Sequence, residues 1–353
     1  MTRQDVCRAV SIAASLVSAA FLARTYTRYR ADIAQARARA ASRSAVVATP
    51  CGPIEYAEAG EGPPLLVVHG AGGGYDQGLD FAKPLASRGI RVIATSRFGY
   101  LRTPLPADAS PAAQADAHAC LLDALGIDRA AIIGASAGAP SAIQFALRHP
   151  KRCTALVLLV PATFVPRAPG LPVMQAPSMT EILFDTALRS DFLFWSAIQV
   201  ARPTLMRAIL ATPPEVVRSA TAEELARVNE ALRHILPVSA RRLGLLNDAA
   251  VTSSLERYAL EQIAAPTLIM SAVDDLFGTY ENALYTAGQI PGARFVGYPT
   301  GGHLLVGRNT AVLKKIAAFL RSFGCASLDP CQSRRFGSSY DPDVQGALAR
   351  PGN

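Results

Sequence analysis

Ser136 stands in GASAG (134–138), which follows the apolar run AAII directly and opens a helical stretch. A strand–turn–helix setting of this kind lifts a serine hydroxyl to the edge of a sheet as a nucleophile. Gly134, Ala135 and Gly138 are small where such a turn crowds the backbone. An ordinary glycine-rich turn is the plainer alternative, and the context favours the nucleophile. A serine needs a base beside it. Of the five histidines, His118 and His149 fall in helical text, His234 in a helical insertion, and His69 just before glycines, where supporting the backbone is its simpler role. His303 stands in PTGGH, a loop after the last apolar run, where glycines let an imidazole reach inward. It is the candidate general base. A third group must hold that imidazole in one tautomer. Asp274 and Asp275 both follow TLIMSA. We expect the turn to aim Asp274 inward, with Asp275 as the alternative acid and solvated neighbour.

HGAGGG (69–74) follows the apolar run PLLVV. Glycines let backbone N–H groups approach a tetrahedral oxyanion closely. The expected donors are the N–H of Ala137 and one from this loop, Ala71 or Gly72. Nucleotide binding is the rival reading, since Arg97 ends the next apolar run. It fails on detail: Tyr75 takes the sixth place of a would-be GxGxxG, and no Lys-Ser/Thr completes a phosphate loop. The six cysteines show no CxxC and no metal-ligand spacing, and are too sparse for a disulfide scaffold. No metal or organic cofactor is implied.

These residues need a sheet whose strand ends meet at one edge. Apolar runs at 53–59, 64–69, 90–95, 130–135, 155–160, 267–272 and 294–299 alternate with helical text, as in a mostly parallel, doubly wound α/β sheet. Ser110-Pro111 starts one helix by N-cap and first-turn proline. The rhythm breaks between 161 and 262, where the text is helical and apolar and contains the single Trp. We read it as a helical cap inserted over a core of 45–160 and 263–323.

The chain has 353 residues, 50% hydrophobic and 18% charged, which excludes wholesale disorder. Of its net charge of +8, residues 1–50 carry eight Arg against Asp5 and Asp32, so the rest is nearly neutral and no nucleic-acid partner is indicated. Residues 9–23 form an uncharged apolar run of 15 residues flanked by arginines. It reads as a membrane attachment or transmembrane helix that would leave the catalytic domain cytoplasmic. A cleaved signal, with a secreted product, and a free helix in a cytoplasmic protein are the other readings. Residues 24–44 read as a basic, Ala/Arg-rich helical linker that completes an N-terminal unit of 1–44, and 324–353 as a disordered tail.

On His69–Gly70–Gly73, the turn at Ser136, PTL with Asp274 eight residues after Pro266, and GGH at His303, residues 50–322 resemble the α/β-hydrolase superfamily, the serine branch with a helical cap. The order Ser136, Asp274, His303 is similar to that of its triads. One departure is SRFGYLRTP (96–104), where such proteins often carry an Asp and a Pro-Gly turn; it sets Arg97 and Tyr100 near the site. The resemblance implies a serine hydrolase that cleaves an ester, lactone or related acyl bond of a small apolar substrate through an acyl-enzyme. Acyl transfer or cofactor-free perhydrolysis on the same triad is the alternative reaction. A non-enzymatic, membrane-tethered binding protein is the alternative class.

Overall fold

The computed structural model describes residues 3–166 and 188–324. Eight strands form one sheet: β1 (Ala45–Thr49), β2 (Gly52–Ala59), β3 (Pro64–Val68), β4 (Arg91–Thr95), β5 (Ala130–Ala135), β6 (Cys153–Leu159), β7 (Thr267–Ala272) and β8 (Arg294–Tyr298). Their order is β1-β2-β4-β3-β5-β6-β7-β8. The first two strands run antiparallel to their neighbours, and every pairing from β4 to β8 is parallel. This is an α/β-hydrolase fold. The ends of β3, β5, β7 and β8 therefore lie at one edge, which is where HGAGGG, GASAG, the paired aspartates and PTGGH begin.

The central strands are apolar throughout because both faces are covered. Leu66, Ile132, Leu156 and Ile269 point into one layer, packed on α3 (Pro111–Ala124), α4 (Ala139–Arg148) and α10 (Thr279–Gln289). Their neighbours Val67, Ile133, Val157 and Met270 point into the other, packed on α2 (Tyr75–Ala86) and α11 (Asn309–Gly324). Ser110 caps α3 by accepting from the Ala113 N–H, with Pro111 in the first turn. A disulfide joins Cys51, in the β1–β2 turn, to Cys120 on α3, a pairing that their spacing did not signal.

Between β6 and β7 lie α5 (Asp191–Val200), α6 (Arg202–Ala208), α7 (Pro214–Arg218), α8 (Ala222–Arg233) and α9 (Arg242–Ser253). Most of the apolar text before Leu188, and the tail beyond Gly324, lies outside the described residues.

The expected apolar segment and helical linker form one continuous helix, α1 (Arg3–Ala41). Its last turns bury Ile33 and Ala36 among Trp195, Ile198 and Leu232. Trp195 Nε1 donates to Asp32 at 2.8 Å, and Arg37 pairs with Asp191 at 3.1 Å. Among the described residues no helix is long and apolar enough to cross a membrane. Fifteen helical residues span about 22 Å, short of a hydrocarbon core of about 30 Å. Ile12, Leu16, Val17, Phe21 and Leu22 are exposed on α1.

Two buried histidines set how the fold responds to acid. Burial, with Arg97 nearby, lowers His118 to about 3, and burial together with Arg97 pushes His69 well below the usual imidazole range. The unfolded chain takes up protons that the folded one refuses, so stability is fully present above about pH 6.5 and is lost as pH falls. Denaturant titrations at pH 7.5 and 5.5 should show a loss of about 1.4 kcal/mol per histidine. His118→Gln should remove one such share, and an unchanged pH slope in that variant would exclude the assignment.

Candidate active site

Ser136 begins a single 3-10 turn, Ser136–Gly138, between β5 and α4. Its φ of +49° is in the left-handed region that a serine rarely enters. The flanking glycines make that turn possible. A Cβ on Gly138 would lie 2.5 Å from the His69 carbonyl oxygen, and one on Gly134 2.6 Å from the Ala142 Cβ. Neither position accepts a side chain without moving the backbone beside it.

The PTGGH loop sets His303 beside Asp275, not Asp274. His303 Nδ1 meets Asp275 Oδ2 at 2.8 Å. The Asp275 side chain is fully buried and also accepts from the Phe277 N–H at 2.9 Å and from Thr279 Oγ1. The ring of Phe277 stands edge-on to the imidazole, 4.9 Å away. Asp274 does something else: its two oxygens accept the N–H groups of Gly301 and Gly302, at 3.1 and 2.8 Å, and so shape the histidine loop. The contact expected of Asp274 is thus made by Asp275, the alternative acid. The turn closes between Ala272 and Asp275, whose N–H bonds the Ala272 carbonyl, so the side chain that returns to the sheet edge is one residue later. With Nδ1–H held by the carboxylate, Nε2 of His303 is the basic nitrogen.

Ser136 and His303 line one cavity of about 520 Å³. The cavity extends from the sheet edge between α2 and the helices that follow β6, and its wall is largely apolar, with Phe81, Phe194, Leu205, Ile235 and Phe277. Ser136 Oγ has no hydrogen-bond partner among the described residues, and such bonds often tighten only with substrate bound. Ala71 also lines the cavity. The Ala137 N–H lies in the first turn after β5, where no intrahelical carbonyl reaches it. Gly72, the other loop residue considered as a donor, is already engaged: its N–H donates to Tyr100 Oη at 3.2 Å. That leaves Ala71.

Arg97 and Tyr100 do not face a substrate. Both are buried, and both bind Asp248 on α9. A second buried pair, Arg241 with Asp76, grips the same loop, because Arg241 also donates to the Gly73 carbonyl. These partners lie about 150 and 165 positions apart in the chain, and no local pattern announces them.

Comparison with known proteins bears on this geometry. Residues 63–309 match the model of the family described as alpha/beta hydrolase fold. The chain belongs to the α/β-hydrolase family. Among curated relatives of this hydrolase, the uncharacterized hydrolase YcgS of Bacillus subtilis is 29% identical over 262 residues, 72% of this chain and 89% of the relative. A 2-hydroxy-6-oxononadienedioate/2-hydroxy-6-oxononatrienedioate hydrolase of Paraburkholderia xenovorans is 30% identical over 236 residues, 64% of this chain and 75% of the relative. A solved α/β-hydrolase fold protein from Nakamurella multipartita superposes with a TM-score of 0.65 at 30% identity, covering 79% of this chain and 99% of that one. An esterase from Exiguobacterium antarcticum, at 20% identity and TM-score 0.58, covers 79% and 98% and shares the fold.

The two aspartates of the hydrolase separate cleanly by mutation. Asp275→Asn should lower kcat by about 10⁴, because the amide would hold the wrong imidazole tautomer. Asp274→Asn keeps a carbonyl acceptor for one glycine N–H and should cost about tenfold or less. Steady-state kinetics on the two purified variants decide, and the reverse order would return the acid role to Asp274.

Proposed function

We propose that the protein is a serine hydrolase of neutral, largely apolar esters or lactones. The observation that carries this reading is the His303–Asp275 pair opening, together with Ser136, onto one apolar cavity. In the reaction, Ser136 Oγ attacks the acyl carbon while His303 Nε2 takes its proton. The Ala71 and Ala137 N–H groups receive the oxyanion, and His303 returns the proton to the leaving alcohol. Water then enters, His303 removes its proton, and the acyl-enzyme is hydrolysed. Nothing in this sequence requires a metal or an organic cofactor.

The charges around the cavity favour a neutral substrate over the dioates named for the Paraburkholderia relative. Among the described residues that line it, Arg227 is the one arginine or lysine, and it is bound to Glu224 at 2.7 Å and to the Leu304 carbonyl. The lining also includes Asp80 and Glu230, with His234 between them at 2.8 and 3.3 Å. A carboxylate on the substrate would meet acids of its own sign there. A cavity of this size suits an acyl group of several carbons.

The test is a series of p-nitrophenyl esters of rising chain length, run with an alkyl phosphonate probe. kcat/KM should rise from acetate to medium-chain esters. A p-nitrophenyl half-ester of glutaric acid should fall about tenfold or more below the neutral pentanoate, some 1.4 kcal/mol of discrimination. Ser136→Ala should abolish both turnover and probe labelling while leaving the thermal transition in place. Labelling of that variant at another serine, or preference for the half-ester, would overturn the reading.

A further inference from the structure

Ala71 sits between two peptide planes, and each is held from behind by a buried network that ends on one carboxylate. The Gly70 carbonyl and the Ala71 N–H belong to the same rigid plane and point in opposite directions. His69 Nδ1 lies 2.7 Å from the Gly70 oxygen, and His69 Nε2 accepts the Arg97 N–H at 3.0 Å. Burial keeps this imidazole neutral, so its single proton is on Nδ1 and the plane is fixed. Arg97 in turn donates from Nε to the His69 carbonyl at 2.9 Å and grips both oxygens of Asp248 at 2.6 Å.

The next plane carries the Gly72 N–H, which donates to Tyr100 Oη. The phenol O–H in turn donates to Asp248 Oδ2 at 2.6 Å. Burial raises Tyr100 well above the usual phenol range, so that proton stays in place. The Tyr100 ring is wedged edge-on against His69, with centroids 4.6 Å apart. On its other side lies Gly244 of α9, where a Cβ would fall 2.1 Å from the ring carbons. Gly244 also donates its N–H to the Gly99 carbonyl at 2.9 Å.

We propose that Asp248, on α9, and Tyr100, in the loop after β4, are positioning residues: together they fix the two peptide planes flanking Ala71 and so aim its N–H at the developing oxyanion. The inference rests on the reading of Ala71 as an oxyanion donor. It makes α9, the last of the inserted helices, part of the catalytic apparatus, although neither side chain touches substrate. A loop held this way has no reorganisation left to perform when charge develops on the substrate.

Tyr100→Phe tests this, since it removes one oxygen and keeps the ring. With a medium-chain p-nitrophenyl ester, kcat should fall about tenfold, with KM within about twofold. Amide hydrogen exchange at Gly72 should quicken by about the same factor, while phosphonate still labels Ser136. Asp248→Asn should reproduce the kcat loss in whatever fraction folds, measured per phosphonate-titrated site. Wild-type kcat in Tyr100→Phe, or a loss confined to KM or to thermal stability, would overturn the proposal. If the wild type hydrolyses no ester at all, the hydrolase reading fails instead, and unchanged exchange at Gly72 would then sink the positioning role on its own.

Discussion

Arg97 and Asp248 form an ion pair almost wholly removed from water, with two bonds of 2.6 Å between guanidinium and carboxylate. Taking two such charges out of solvent costs several kcal/mol each, and is offset only when geometry and additional hydrogen bonds satisfy them. Here they are satisfied: Arg97 also bonds the His69 carbonyl, and Asp248 also accepts from Tyr100. Burial alone would lower Arg97, but the charge and hydrogen bonds of Asp248, together with Tyr100, outweigh that penalty and keep Arg97 protonated. Losing either partner would strand the other, at about 3–5 kcal/mol. The loop after β4, the loop after β3 and helix α9 are therefore tied to a single arrangement, and the catalytic edge of the sheet inherits it.

Reading the sequence located the parts of the site that depend on local chemistry. Ser136 was legible because strand, tight turn and helix follow one another within a few residues and leave small side chains where the backbone is crowded. His303 was legible because one histidine stood in a glycine loop after the last apolar run. The choice between Asp274 and Asp275 was not, because two adjacent acids after a strand differ only by the turn that follows. That turn is set by the Asp275 N–H bonding back to Ala272 and by Phe277 and Thr279 donating to the Asp275 carboxylate. Pattern alone cannot supply such bonds.

The strands tell a similar story. The seven runs reappear as β2 to β8, and from β3 to β7 they do so because both faces of a parallel sheet must be covered, which writes near-continuous apolarity into the sequence. β1 escaped notice: it is an edge strand of five residues, mostly exposed, and its partner is an antiparallel hairpin neighbour. Arg97 and Tyr100 were seen as residues near the site, but their partner on α9 is far away in sequence. A buried network of this kind has no period and no spacing rule, so only the folded chain shows it.

The end of α1 extends the same logic to the boundary of the catalytic unit. The basic stretch once read as a linker reaches the active-site loop through its own contacts. Tyr75, first residue of α2, donates its hydroxyl to the Arg39 carbonyl at 3.1 Å, and Arg39 lies 3.9 Å from Asp76. Asp76 is held in turn by Arg241, which also bonds the Gly73 carbonyl. The carboxylate stays ionised despite its burial because Arg241 and Arg39 outweigh the desolvation. About two turns earlier in the helix, Tyr29 and Asp32 pack on Trp195 of α5. Leu193 and Phe194 on that same helix line the cavity. The last three turns of α1 are thus a structural support for both the loop behind Ala71 and the apolar wall, and the unit that positions the chemistry begins near Tyr29, ahead of the first strand.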